Sequence, residues 1–437
     1  MGSRNGRRER RKRRRDNRQN VVQTVNLCHD SRYVELRKWL KERGFNSNSL
    51  IPAQFSNTGR GLMTTKAIKA GGLVVSLPES CLMTSQSVLS SYLGEYFKRW
   101  KPSVSPVLAL CVFLISERHL GVTSRWKPYI DVLPENYTCP AYFSDDALSL
   151  LPGDLRNKAL DQRGRPLFRR PVEDIFTHDA LRWAWCSVNT RTVYVERPQS
   201  PYLSRERDVY ALAPYLDLLN HCASVQVDAE FSQVTRCYEI RSRQGCRKFQ
   251  QAFICYGPHD NQKLLLEYGF VAPGNPHSVV YVDPSDLQLC LGAAVQQFDQ
   301  KLLFLKQSNF LANLTFGLDG ASWRLMTALR LLSLKPDQYS CWKGVLLGAA
   351  VSQEREERSA HFAKMLCQRL WGENSQALQR LSLLKKEAAA SVREQLAVVE
   401  YLRLEAQSIL EHSQEVLKNL QEEAPRSDVS PPTEDHV

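Results

Sequence analysis

The spacing of apolar and polar residues changes character twice along the chain. Behind Asp30, the residues Tyr33, Leu36 and Leu40 fall on one face at steps of three and four, predicting a helix that Gly44 is placed to stop. From Gly61 to Leu77 the pattern becomes that of strands, Gly-Leu-Met-Thr-Thr-Lys and then Leu-Val-Val-Ser-Leu, joined by a turn at Lys69-Ala-Gly-Gly72 and closed by Pro78. Ser105-Pro106 opens an apolar helix to about His119, with Pro106 at the first helical position. A second helix, from Glu173 to Val188, carries Trp183 and Trp185, and Asp154 to Pro171, polar, rich in Arg and broken by Gly164 and Pro166, reads as a loop. Pro214 to Asn220 reads as one helical turn or a strand end that buries Leu216, Leu218 and Leu219. Strands follow at Ala229–Phe231, Cys237–Arg241, Phe249–Cys255 and Val279–Val282, the second and third forming a hairpin about Gly245.

After Leu287 only helical periodicity remains. It predicts helices at Leu289–Gln307, Ser322–Ser333, Tyr339–Val351 and Arg355–Trp371, then one long helix at Ser375–Leu420. The apolar stripe of that last helix runs from Leu381 and Leu384 through Leu396, Val399, Leu402 and Ile409 to Val416 and Leu420, with Ser413 its one polar position. Its packing is expected within its own domain. The whole reads as α+β: a mixed region over 27–286 with a helical insert at about 100–190, then an all-α region over 287–420.

Charge separates the two ends from this body. The formal net charge of the 437 residues is +12, and the first fifteen residues alone hold nine Arg or Lys and one Glu. Residues 1–26 are expected to be a disordered basic arm, either a solvated tail, a nuclear-import signal or a nucleic-acid contact. Residues 421–437, with five acids and one Arg, are expected to be a disordered acidic tail. No apolar run follows the basic start, and the longest unbroken apolar stretch, Val107 to Ile115, falls short of the roughly 20 residues of a membrane span. Twelve scattered Cys without a Cys-x-x-Cys pair suggest a reduced, intracellular protein whose cysteines are mostly buried.

Familiar catalytic signatures are missing. There is no Gly-x-Gly-x-x-Gly, no phosphate-cradling Gly-x-x-x-x-Gly-Lys-Ser/Thr and no Gly-x-Ser-x-Gly. Cys237, Cys246 and Cys255 are evenly spaced but lie on the expected hairpin, where core packing explains them better than zinc. Three polar clusters remain within apolar sequence, where polar groups need a reason. Thr58-Gly-Arg-Gly-Leu62 is either a hairpin entry or a backbone open to a ligand; Asp217-Leu-Leu-Asn-His221 is either a capped core end or a site. In the third cluster Tyr256 ends a strand at Gly257-Pro258 and Tyr268 ends a short helix at Gly269, as packing groups or as the walls of a site.

Taken together and in this order, Gly59-Arg-Gly61, Asn220-His221 after an apolar run, the strand-end Tyr256-Gly257 and Glu267-Tyr-Gly-Phe270 resemble the SET-domain methyltransferases, over essentially residues 33–420. The resemblance is to the branch typified by the plant Rubisco large-subunit lysine methyltransferase. It implies a mostly-β SET domain over 27–286, knotted because the segment after His221 threads beneath a preceding loop, and a helical substrate-binding domain over 287–420. It implies S-adenosylmethionine as cofactor. Gly59, Arg60 and Gly61 would then give it backbone contacts, Arg191 would hold its carboxylate, and Asn220 and His221 its amino and adenine ends, with Asp217 and Tyr256 in the same binding set. Tyr256 corresponds to the active-site tyrosine and Tyr268 to the second aromatic of the lysine channel.

The implied chemistry is in-line methyl transfer to a lysine, which must arrive neutral although its ordinary pKa is about 10.4. Desolvation in an apolar channel favours the neutral amine, so neither a strong general base nor a metal is expected. The implied partners are a protein substrate, a histone tail or another lysine-containing protein, and an import receptor for the arm, with no membrane partner and direct nucleic-acid binding left open. Nucleus and cytoplasm are the expected locations. Transfer to another side chain such as histidine, and a catalytically silent scaffold, are the alternatives. The chain departs from the family pattern in its short segment Asp154–Pro171 and in lacking a Cys-rich segment after the SET region, so the helical region is expected to close the channel.

Overall fold

Each end of the first helix is set by one residue. The Asp30 side chain accepts from Arg32 N at 2.9 Å, the helix runs Ser31–Glu42, and Gly44 reverses the chain at φ +84°. The computed structural model describes residues 24–46, 49–164 and 174–422. Most of the basic arm, most of the acidic tail, residues 165–171 of the expected loop and Glu173 of the expected helix therefore lie outside the described residues. The inner end of the arm is not a tail: Val25–Asn26 (β1) pairs antiparallel with the strand Leu50–Phe55 (β2). Contacts divide the described chain into two units, residues 24–137 with 174–258, and residues 138–164 with 259–422. Residues 259–286, read from the sequence with the first domain, pack with the helical one.

In the first unit β2 and Gly59–Thr64 (β3) form a hairpin in register from Leu50↔Thr64 to Phe55↔Gly59. Leu73–Pro78 (β4) belongs to a second sheet, Thr192–Tyr194 (β5) and Tyr210–Leu212 (β6) form a two-stranded ladder, and Asn220–His221 (β7) returns to the first sheet. Val227–Ser232 (β8) and Cys237–Ser242 (β9) pair with each other, and β9 with β4. The expected hairpin about Gly245 does not form. Gln251–Ile254 (β10) leaves β9 and crosses into the first sheet, whose order is β1-β2-β3-β10-β7. Cys237 thus starts β9, whereas Cys246 lies in an isolated bridge to Ile68 and Cys255 just beyond β10; all three are half-buried, and only five of the twelve cysteines are fully buried.

The helical insert supplies the core of this unit. Helix Pro106–Leu120 is capped by Ser105, whose side chain accepts from Leu108 N, and it packs against His178–Arg191. The span Pro106–Thr123 has the length and mean hydropathy of a membrane helix, yet Ala109, Leu110, Cys111 and Leu114 are wholly buried in the protein. Each such leucine contributes about 1.5–3 kcal/mol of transfer free energy. The Trp-rich helix starts later than expected, behind the cap Thr177, and runs on to Arg191.

The second unit is helical but not all-α. Gly153–Gly164 is a helix where a loop was expected, burying Leu155 and Ala159, because its apolar positions meet partners remote in sequence. Val280–Tyr281 (β11), Thr315–Gly317 (β12) and Gly320–Ala321 (β13) form a small sheet. The expected helix Leu289–Gln307 is two, Pro284–Leu291 and Phe298–Gln307, and Tyr339–Val351 is a 3-10 turn with a short helix. The largest difference concerns the end of the chain. Helix Gln353–Glu387 runs through Trp371 without a break, Ala388 turns extended (φ −69°, ψ 144°), and Ala390–Glu422 follows, so the last two residues before the undescribed tail are helical. Alanines give no local stop signal; the reversal lets the two stripes bury each other. Ser413, polar within the stripe, is fully buried and donates to Gly317 O at 2.8 Å.

Two buried cations close the end of helix Trp323–Ser333. Lys301 donates to Leu332 O and Leu334 O at 3.1 and 2.6 Å, and Arg355 Nη1 to Ser333 O at 2.7 Å. Burial, then Arg358 and Arg355, lower the Lys301 ammonium to about 8 from 10.5. Between those values the unfolded chain holds a proton that the folded one has released, so stability rises with pH across that window. Urea midpoints measured from pH 7.5 to 10 are expected to climb more steeply for the wild type than for Lys301→Met; parallel curves would contradict this.

Candidate active site

The site is assembled where β10 is inserted between two strands. It pairs antiparallel with β3 and parallel with β7, setting Phe253 opposite Asn220 and Ile254 opposite His221. Asn220 reaches across the sheet to the β2–β3 turn: its Nδ2 donates to Arg60 O at 2.9 Å and approaches Thr58 O at 3.4 Å. Gly59 has φ +70°, which a side chain disfavours. At Gly61 a β-carbon would lie 2.7 Å from Gln251 Nε2 and 3.0 Å from Asn220 Nδ2. The missing side chain at 61 therefore makes room first for two amides of the protein itself. The Arg60 guanidinium points its Nη1 at Val132 O, 2.6 Å away, and borders a cavity of about 630 Å³ with Arg32, Arg118 and Lys127.

Behind this sheet lies a buried charge pair. Arg191, the last residue of its helix, donates from Nη1 to Asp217 O at 2.8 Å, and Tyr129 donates its hydroxyl to Asp217 Oδ2 at 3.0 Å. Burial pushes the Asp217 carboxyl up from its ordinary value against the pull of Arg191, Tyr129 and Arg60. Burial works against the charge on Arg191 too, but Asp217, Tyr137, Tyr256 and Tyr129 outweigh it and hold the guanidinium firmly protonated. The Tyr129 hydroxyl is held well above its usual range by burial and then by Asp217. Arg191 Nε–H is enclosed and has no hydrogen-bond partner among the described residues. A planar fork with one edge anchored and an N–H to spare is suited to a carboxylate.

The third element is the pair His221 and Tyr256. Tyr256 N donates to His221 Nδ1 at 3.1 Å, so the ring proton of a neutral His221 is on Nε2. The rings lie 5.3 Å apart, and the Tyr256 hydroxyl donates to Leu219 O at 2.7 Å. Tyr215 aims the intervening segment. It is 1% exposed, adopts φ +72°, and donates its hydroxyl to Leu50 O at 2.8 Å. A bulky residue in that conformation costs about 1–3 kcal/mol and persists because its ring and hydroxyl are fixed on both sides. The turn Leu216–Leu218 then starts directly behind it.

With this geometry in place, the likeness to other proteins is informative. The chain is 49% identical over 414 residues to SET domain-containing protein 4 of Mus musculus, covering 91% of this chain and 94% of that protein, and 48% identical to that of Homo sapiens with the same coverage. The chain belongs to the SET domain-containing protein 4 family, among the SET-domain methyltransferases. The Rubisco LSMT substrate-binding family matches residues 293–410. An actin-histidine N-methyltransferase of Gallus gallus is 30% identical over 271 residues, 58% of this chain and 44% of that protein. In fold, the chain superposes on the SET domain of LSMT bound to lysine and AdoHcy with a TM-score of 0.60 at 21% identity, covering 90% of this chain and 92% of that one.

The first unit thus gathers Gly59, Arg60, Gly61, Arg191, Asp217, Asn220, His221 and Tyr256. Tyr268 belongs to the second unit. It ends helix Asn261–Tyr268 as expected, at a left-handed Gly269, and stacks on His259 at 6.2 Å and against Phe270 at 6.4 Å. Burial raises its hydroxyl to about 12. Among the described residues no three His, Cys, Asp or Glu side chains gather as a metal site. Sequence reasoning missed Tyr129, Tyr137, Tyr215 and Gln251. Tyr129 and Tyr137 lie in loop-like stretches without periodicity, and a positive φ at 215 has no glycine to announce it.

Tyr129→Phe keeps the ring and removes the donor to a buried carboxylate. It is expected to lower stability at pH 7 by about 1–3 kcal/mol in urea unfolding; a variant as stable as the wild type would show that Asp217 does not depend on it.

Proposed function

We propose that this protein is a protein-lysine N-methyltransferase that uses S-adenosylmethionine. The observation that carries this reading is the convergence of Arg191, with an uncommitted Nε–H, on Asn220, His221 and Tyr256 within one unit. Bound there, the cofactor supplies a methyl group activated on a sulfonium. Arg191 holds its carboxylate, and the backbone at Gly59–Gly61 with Asn220 and His221 fixes its amino and adenine ends; Asp217 and Tyr129 hold Arg191 in place. The Tyr256 hydroxyl, anchored on Leu219 O, orients the incoming amine. Exclusion of water around the lysine favours its neutral form, so positioning and desolvation replace a general base. The insertion of β10 between β3 and β7 is read as the trace of the family's knotted threading.

Histones and other nuclear and cytosolic proteins are the proposed substrates, and the basic arm is proposed to direct import. A second reading, methyl transfer to histidine, is favoured by the likeness to actin-histidine N-methyltransferases. Labelled S-adenosylmethionine with a cell extract, followed by mass-spectrometric mapping, separates the two: modified lysine supports the first reading, modified histidine the second, and no incorporation with no cofactor binding by calorimetry leaves a silent scaffold.

Tyr256→Phe is expected to keep cofactor affinity and lose on the order of 100-fold in methyl transfer, since its ring packs while its hydroxyl orients the amine; full turnover would remove Tyr256 from the mechanism. Deleting residues 2–18 is expected to change cellular location and leave turnover of a short peptide intact.

A further inference from the structure

The first unit holds another cavity, of about 720 Å³, walled in part by Ser85, Lys98, Arg197, Ser200, Tyr202 and Asp208. Arg197 and Asp208 face each other where the β5–β6 ladder runs on: Arg197 N donates to Asp208 O at 2.9 Å, and Val195 N to Val209 O at 2.9 Å. Asp208 is 6% exposed. Its Oδ2 accepts from Ser85 Oγ, whereas Oδ1 is enclosed and has no hydrogen-bond partner among the described residues. Arg197 donates from Nη2 to Glu79 Oε1 at 3.2 Å, and its Nε–H is likewise enclosed without a partner. Arg197 is near enough to draw the Asp208 carboxyl down against the burial that raises it. Lys98 is already paired with Glu95 at 2.6 Å.

A buried acceptor and a buried donor, both unmade just behind one wall, each carry the desolvation cost of an unsatisfied group, which is larger when the group is charged. The chemistry of a relieving ligand follows. A carboxylate only accepts and would meet Asp208 as a like charge. An ammonium or guanidinium only donates and would meet Arg197 as one. A carboxamide presents an N–H and a C=O on one edge and carries no charge. Tyr202, 42% exposed at the same wall, offers a flat apolar face beside it.

We propose that this cavity is a docking pocket for an Asn or Gln side chain of the protein substrate, and that on docking the Asp208 and Arg197 side chains turn toward it, its N–H donating to Asp208 Oδ1 and its C=O accepting from Arg197 Nε–H. The pocket rests on the reading that the substrate is a protein, and it adds a recognition point outside the transfer site.

The first test is NMR of the full chain labelled at arginine Nε, with the Arg197 signal assigned by its loss in Arg197→Lys. Acetamide is expected to shift that signal at millimolar concentration, acetate and methylguanidinium to leave it in place, and Asp208→Asn to weaken the acetamide response at least tenfold. A shift with either ion but not acetamide would overturn the assignment, as would no shift at all, which means a trapped water satisfies both atoms. The second test uses Tyr202→Ala, an exposed position that leaves the fold intact. Its KM for the acceptor protein is expected to rise about fivefold with kcat unchanged, and an unchanged KM would refute docking. Acetamide binding in a chain that transfers no methyl would keep the pocket and sink the enzyme reading instead.

Discussion

The placement of β10 is the constraint on which the first unit depends. Its antiparallel ladder to β3 and parallel ladder to β7 bring Gly59–Gly61, from early in the chain, beside Asn220 and His221, from much later. The Asn220 amide then bolts the two together through Arg60 O, and the Tyr256 amide closes on His221 just beyond the strand end. Moving β10 by one residue would turn Phe253 and Ile254 to opposite faces and detach both contacts at once. The local oddities nearby, the crowded Gly61 and the positive φ of Tyr215, are consequences of holding that register.

Electrostatics in this unit is arranged around one permanent cation. Arg191 is buried beside Asp217, and the carboxylate is itself held by Tyr129, so the charge is balanced before any ligand arrives. A buried pair of this kind adds little net stability because desolvation offsets attraction, but it fixes orientation closely. In this unit that orientation is the useful product: the guanidinium is anchored at Nη1, and its Nε–H is enclosed without a partner among the described residues. The net charge of +12 plays no visible part in this arrangement, since most of its concentrated block lies in the arm.

Local signals in the sequence were read correctly where one residue does one job. Asp30, Ser105-Pro106 and Gly269 mark helix ends, and the structure finds caps and a left-handed turn at those places. Asn220, His221 and Tyr256 stand out as polar groups in apolar sequence, and the fold brings His221 and Tyr256 into contact and Asn220 onto the β2–β3 turn. Long-range decisions were not legible. The hairpin expected about Gly245 has a sound turn residue, yet β9 finds better partners in β4 and β8. The break at Ala388 sits in a strongly helical stretch and is settled by packing of one stripe on the other. The hydrogen bond that the Asp217 side chain accepts comes from Tyr129, 88 positions away, and nothing local announces it.

The second unit is built from two pieces of chain that are far apart in sequence. Leu148, Leu155 and Ala159 from the first piece share one core with Leu265, Leu381, Leu396 and Val399 from the second. Thr138 Oγ1 donates to Gly269 O at 2.6 Å, and the close approach leaves no space for a side chain at 269. The helical unit is therefore not a module that can be cut off at a single point. A gene rearrangement that carried only its C-terminal piece would leave half a core exposed, so the two units are bound to be inherited, and lost, together.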